Sequence, residues 1–153
     1  MKKIASLSFA IISVLSIVSC SDDDNALDTT KPTIEIVTPT DDQDIEPGSS
    51  FAFKANLSDD SGLASYHAEV HSAADGHTHK PMATEAAGNP FIFNDTQDVP
   101  GQAKNYTVEE TINIPEGVQE GPYHVGITVL DTFGNQNQQF IEVHIGHDED
   151  HEH

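Results

Sequence analysis

The side chains able to do chemistry in this chain are ligands for cations. Nine His and 26 carboxylates stand against six Lys in 153 residues, for a formal net charge of −20. Several of the His fall into closely spaced groups. His67, Glu69 and His71 alternate in one stretch, and His77 and His79 flank a single Thr. His124 stands apart, Glu142 and His144 alternate, and the sequence closes on His147, Asp148, Glu149, Asp150, His151, Glu152 and His153. Neutral imidazole combined with carboxylate suits Zn2+, Cu2+ or Ni2+, whereas Cu+ prefers sulfur and Ca2+ takes an oxygen cage. Zn2+ is the first choice and Cu2+ the second. Ligation requires the neutral ring, so affinity is expected to fall as the pH drops through about 6.5.

Other chemistries are poorly supplied. There is no His-Glu-x-x-His helix motif, nucleophile elbow or phosphate loop, so catalysis is not expected. All six basic residues are Lys, which leaves no bidentate clamp for phosphate or carboxylate. The negative charge repels nucleic acid and anionic membrane surfaces alike. The single Cys, Cys20, excludes both an intrachain disulfide and a Cys-based zinc site.

That Cys sits where an address would place it. Lys2 and Lys3 precede an apolar stretch over residues 4–18, broken by four Ser. This is short for a membrane span and fits the apolar region of a signal peptide. Ile17-Val18-Ser19-Cys20 resembles a bacterial lipobox, which implies a lipoprotein signal peptide over residues 1–19 and lipidation of Cys20. Residues 20–31 then form an acidic tether. Its Ser21-Asp22-Asp23-Asp24-Asn25 is similar to the run that follows the Cys in surface-exposed lipoproteins of Bacteroidetes-type bacteria. The resemblance implies an outer-membrane lipoprotein facing the cell surface or the periplasm. Removal of residues 1–19 takes two Lys with it, leaving four Lys against 26 carboxylates and a charge of −22. Lipid chains rather than electrostatics would hold such a chain at a membrane.

The elements that must position the His read as strands. Apolar residues alternate with polar ones in short runs bounded by Gly, Pro, Asn and Asp, with no sustained 3.6-residue period. Strands are expected over residues 33–37, 50–57, 64–72, 91–93, 106–114, 123–130 and 138–145. Residues 41–48 read as a polar turn, 73–90 as a long loop and 147–153 as a His/Asp/Glu-rich tail. About seven strands within residues 32–146 predict an all-β, immunoglobulin-like sandwich. Asp60-Ser61-Gly62-Leu63 and the run from Gly121-Pro122-Tyr123 to Asp131-Thr132-Phe133-Gly134-Asn135 are similar to small Ig-like domains of bacterial surface proteins. Taken whole, residues 20–146 resemble a family of short Bacteroidetes lipoproteins catalogued as a domain of unknown function. The Cys–Trp–Cys core of antibody domains is absent, so stability must come from apolar packing.

Strand order turns these spacings into a site. In such a sandwich the third, sixth and seventh strands share a sheet, with the sixth in the middle. Tyr66, Ala68 and Val70 face inward on the third strand, as do Tyr123, Val125, Ile127 and Val129 on the sixth. His71, His124 and His144 then point outward and fall near one row at one end of the sheet, where strands about 4.8 Å apart allow one ion to be shared. The loop carrying His77 and His79 and the tail carrying His147, His151 and His153 leave from that end. Glu69 and Glu142 lie nearby as second-tier ligands. His67 lies about 13 Å farther along. At the opposite end, Asp59, Asp60, Asp131 and Asn135 lie in two adjoining turns and suggest Ca2+, although these are also ordinary turn formers.

These placements predict a lipid-anchored binder of a divalent transition metal, serving capture, buffering or delivery to an outer-membrane uptake receptor. The competing expectation is a structural or accessory module that binds a protein or glycan, with the His incidental.

Overall fold

The computed structural model describes residues 27–73 and 88–146. Eight strands follow one another among them: β1 (Thr33–Thr38), β2 (Gln43–Ile45), β3 (Ser50–Ser58), β4 (Leu63–Ser72), β5 (Phe93–Asp98), β6 (Asn105–Asn113), β7 (Gly121–Asp131) and β8 (Gln136–Ile145). They form a three-stranded sheet in the order β1-β3-β6 and a five-stranded sheet in the order β2-β8-β7-β4-β5. Neighbours run antiparallel except β2, which lies parallel to β8. The fold is an all-β, Ig-like sandwich. Among the described residues no helix is long and apolar enough to cross a membrane.

Period-two alternation explains why these segments pair as they do. On β3, Phe51, Phe53, Ala55 and Leu57 are buried while their neighbours are not. On β4, Tyr66, Ala68 and Val70 face the same interior, and on β7 so do Tyr123, Val125, Ile127 and Val129. Val108, Ile112 and Ile114 close the core from the β6 side, with Val143 and Ile145 from β8. Burying each such side chain contributes roughly 1.5–3 kcal/mol, which is how the sandwich holds without a disulfide. A one-residue slip would turn every one of these side chains to water, so the apolar pattern also fixes the register.

The phenol of Tyr123 reinforces one corner. Its hydroxyl donates to Gln119 O at 2.6 Å and accepts from Phe91 N at 3.2 Å. The bond to a carbonyl four residues upstream is the tyrosine-corner arrangement of Ig-like sandwiches.

Two segments differ from the sequence reading. Residues 41–48, expected as a turn, contain β2, whose Ile45 is buried and whose backbone pairs with Val143, His144 and Ile145. Three residues are too few to show alternation, and Asp and Gln around Ile45 mask the signal. The expected strand over 91–93 is instead β5, Phe93–Asp98, an edge strand held on β4 through its backbone. Its sequence FNDTQD is polar because most of its side chains meet water. Such polarity suits an edge, where it discourages pairing with other chains.

Candidate metal centre

The outer face of β4, β7 and β8 carries the imidazoles. Because β7 buries its odd-numbered residues over 123–129, His124 is turned outward, and the β4 alternation turns His71 the same way. The register places His71 directly opposite His124 and His124 directly opposite Glu142. The two rings meet edge to face, with centroids 5.3 Å apart and planes at 81°. Each ring has a carboxylate at hand. His71 Nε2 lies 3.9 Å from Glu69 Oε2, and His124 Nε2 lies 3.9 Å from Glu142 Oε2. All four side chains are half-buried, with 18–30% of each exposed.

A missing side chain makes room beside them. Gly126 on β7 sits between Glu69 on β4 and Phe140 on β8 in the register. The Phe140 ring lies across Gly126, so close that a Cβ added there would be 2.1 Å from Phe140 Cδ1. The same ring stands edge-on to both imidazoles, 6.0 Å from His71 and 6.3 Å from His124. Phe140 therefore walls one side of the polar patch and shields it partly from water. Its outward parity, next to inward Ile141, was visible in the sequence, but its placement opposite a Gly required the register.

The expected row of three His is corrected by that register. His144 pairs with Pro122, not with His124, and lies two residues beyond the row, about 7 Å along the strand. Glu142 takes the third place. His67 lies opposite Thr96 and Thr128, and its Nδ1 is 2.8 Å from Thr96 Oγ1, well away from the row. Cys20, His77, His79, His147, His151 and His153 lie outside the described residues. Ser72 at the end of β4 pairs with Tyr123, and Ile145 at the end of β8 pairs with Gly121. Both strands thus end beside the row, at the start of β7.

Two imidazoles and two carboxylates offer the mixed N/O donor set that borderline transition ions take. Their four donor atoms are not all within 4.8 Å of one another; among the described residues the group that is so compact is Asp28, Asp59 and Asp60. Metal bonds of about 2.1 Å would require the side chains to close on the ion.

At the opposite end Asp131 and Asn135 build a turn. Asp131 is buried, and its carboxylate serves its own turn: Oδ1 accepts from Phe133 N and Asn135 N, both at 2.8 Å, and Oδ2 from Asn135 Nδ2 at 2.7 Å. Those bonds satisfy the group as a turn anchor. Asn135 Nδ2 also reaches Asp28 O at 3.0 Å, which brings the entering segment against this end. Asp28 was not among the expected ligands, because its position before β1 gives no hint of which turn it meets.

A β-sandwich bearing an imidazole–carboxylate face defines the class. The chain belongs to the family described as Domain of unknown function (DUF4625), which matches residues 18–146. No curated protein matches it. Among solved structures, it resembles OgpA from Akkermansia muciniphila at 11% identity and a TM-score of 0.47, covering 77% of this chain and 30% of that one. The fibronectin(III)-like modules of CbhA from Clostridium thermocellum match at 15% identity and a TM-score of 0.44, covering 80% and 53%. A beta-glucosidase from Listeria innocua matches at 12% identity and a TM-score of 0.38, covering 76% and 16%. The chain thus spans only about a third of the first of these proteins and about half of the second.

Proposed function

We propose that this protein is a lipid-anchored component of the cell envelope that binds a divalent transition metal, Zn2+ first and Cu2+ or Ni2+ next. Its role is capture, buffering or delivery of the ion to an uptake receptor of the outer membrane. The observation that carries the reading is the facing pair His71 and His124, each with a carboxylate 3.9 Å from its Nε2. Binding rather than catalysis fits an open sheet face, since most enzyme chemistry uses a pocket that excludes water. His144, two residues beyond Glu142 on β8, would add a further donor. Neutral imidazoles are required, so binding weakens as the pH falls.

Calorimetric titration of the full chain with Zn2+, Cu2+, Ni2+ and Ca2+ tests the proposal. The expected result is a transition-ion Kd of about 1 μM or tighter, weakened at least about tenfold by His71→Ala or His124→Ala. A metal affinity weaker than about micromolar for every ion refutes it and leaves a structural or accessory module with incidental His. Affinity that survives both substitutions but vanishes on truncation after Gly146 places the ion on the tail and refutes the sheet-face site.

A further inference from the structure

The end of the sandwich remote from the imidazoles holds a carboxylate, Asp59, of which one oxygen takes no part in its turn. Asp59 directly follows β3 and opens the turn into β4. Only 8% of it is exposed. Its Oδ1 accepts from Ser61 N at 2.8 Å and Gly62 N at 3.0 Å, which is sufficient to form the turn. Its Oδ2 is fully shielded from solvent and has no hydrogen-bond partner. A buried carboxylate oxygen without a donor is costly, and native structures rarely keep one without an ion or water to meet it.

Two further carboxylates close to Asp59 make the cost larger. One carboxylate oxygen each from Asp28, Asp59 and Asp60 lies within 4.8 Å of the other two. Asp28 Oδ2 is likewise shielded and lacks a hydrogen bond of good geometry. Lys31 and Lys104 border the adjoining hollow. Neither comes within ion-pair distance; among the described residues the paired lysine is Lys54, at Glu109. Like charges held this close, in a chain of net charge −20, call for a cation.

We infer that Asp28, Asp59 and Asp60 form a binding site for Ca2+, which fastens the segment entering β1 to the turn between β3 and β4. The donors are all oxygen, which suits a hard ion and disfavours the borderline ions expected at the imidazoles. Three carboxylates leave the remaining coordination positions to water, as Ca2+ with its six to eight ligands allows. The site is distinct from the imidazole face and stands whether or not that face binds metal. Its consequence is mechanical. The chain before β1 is tethered to the sandwich by Asn135 Nδ2, which donates to Asp28 O. A bound ion adds a bridge from that segment to the β3–β4 turn.

Thermal melting and calorimetry of the full chain with CaCl2 in 0.15 M salt test the inference. The expected Kd is about 10⁻⁴–10⁻³ M, the range of extracellular Ca2+ modules, with Tm rising by several degrees at about 10 mM. Asp60→Asn and Asp28→Asn are expected to weaken binding at least about tenfold, while Glu116→Gln leaves it unchanged. Asp59→Asn keeps the Oδ1 acceptor and puts an amide donor where the partnerless oxygen stood. That variant is expected to melt higher than the parent without Ca2+ and to lose the Ca2+ response. An equal rise in Tm from NaCl at matched ionic strength overturns the site, because it signals only screening of an acidic chain. So does a Ca2+ response that Asp60→Asn, Asp28→Asn and Asp59→Asn all retain.

Discussion

Substituting Gly126 by Ala tests how the imidazole face is assembled. Gly126 does not have positive φ, so its backbone places no demand for Gly. The demand comes from β8, where Phe140 lies directly opposite and folds across the bare Cα. A methyl group here would meet Phe140 Cδ1 at 2.1 Å, Cε1 at 2.2 Å and Cγ at 2.8 Å. Ordinary contact is about 3.4 Å or more, so the ring must move by more than about 1 Å. Phe140 is 36% exposed, so it can swing outward rather than distort the strand. The cost is therefore lost ring burial and some off-rotamer strain, about 1–2 kcal/mol. It is partly offset by about 0.4–1 kcal/mol from the stiffer unfolded chain.

The net expectation is a fall in stability of about 1 kcal/mol, read as a lower urea midpoint with unchanged slope. A double-mutant cycle with Phe140→Ala isolates the cause. Without the ring to strike, Gly126→Ala should be neutral or stabilising by up to about 1 kcal/mol. If it destabilises by the same amount in both backgrounds, the contact with Phe140 is not why Gly stands there. The ring would then also lose its claim to organise the imidazoles.

Two further predictions concern groups at the edge of the core. Glu110 shares the inward parity of Val108 and Ile112, and its Oε1 accepts from the Tyr66 hydroxyl at 3.2 Å. Burial raises its pKa above 4.5, partly opposed by that hydrogen bond, and nearby Asp95 raises it further. The folded state therefore binds more protons than the unfolded state just above pH 4.5. Glu110's contribution is full below that value and is lost as the pH rises through the folded pKa. Glu110→Gln should stabilise the protein near neutral pH by a few tenths of a kcal/mol, given its partial exposure, and give no gain below about pH 4, as urea melts at both values would show. Tyr123→Phe removes a hydroxyl that serves both Gln119 O and Phe91 N, and should lower stability by about 1–2 kcal/mol in the same assay.

The parts of this fold that were legible in the sequence are those where one face is buried. Phe51 to Leu57, Tyr66 to Val70 and Tyr123 to Val129 alternate because each second residue enters the core, and that alternation fixes which side His71 and His124 take. Strand order placed them on adjacent strands. The offset between strands was not legible, since parity is unchanged by a shift of two residues. Hence Glu142 stands in the row where His144 was expected. β2 and β5 were missed or misplaced because they are held chiefly by backbone pairing, which leaves little trace in side-chain type. Asp28 was missed for a third reason: it lies outside any repeating element, and only the fold brings it to Asp59.

The two proposed cation sites have different donors and sit at opposite ends of β4, and this has a measurable consequence. Asp59 and Asp60 precede Leu63, and His71 is the last residue but one of the strand, so about eight residues of extended chain, roughly 27 Å, separate the ends. Two divalent ions at that distance repel by about 0.6 kcal/mol in water before screening. A Debye length of about 8 Å at 0.15 M ionic strength reduces this to a negligible value. Stabilisation by Ca2+ and by Zn2+ should therefore add to within about 0.5 kcal/mol when both are present. His71→Ala should remove only the Zn2+ part, and Asp60→Asn only the Ca2+ part. If Zn2+ at saturation abolishes the Ca2+ response, the two ions compete for one set of ligands, and the division of carboxylates and imidazoles into separate sites is wrong. If the responses add, then the 26 carboxylates and nine His of this chain are not a diffuse cation sponge. A sponge would bind either ion wherever charge is dense, and neither single substitution would select between them.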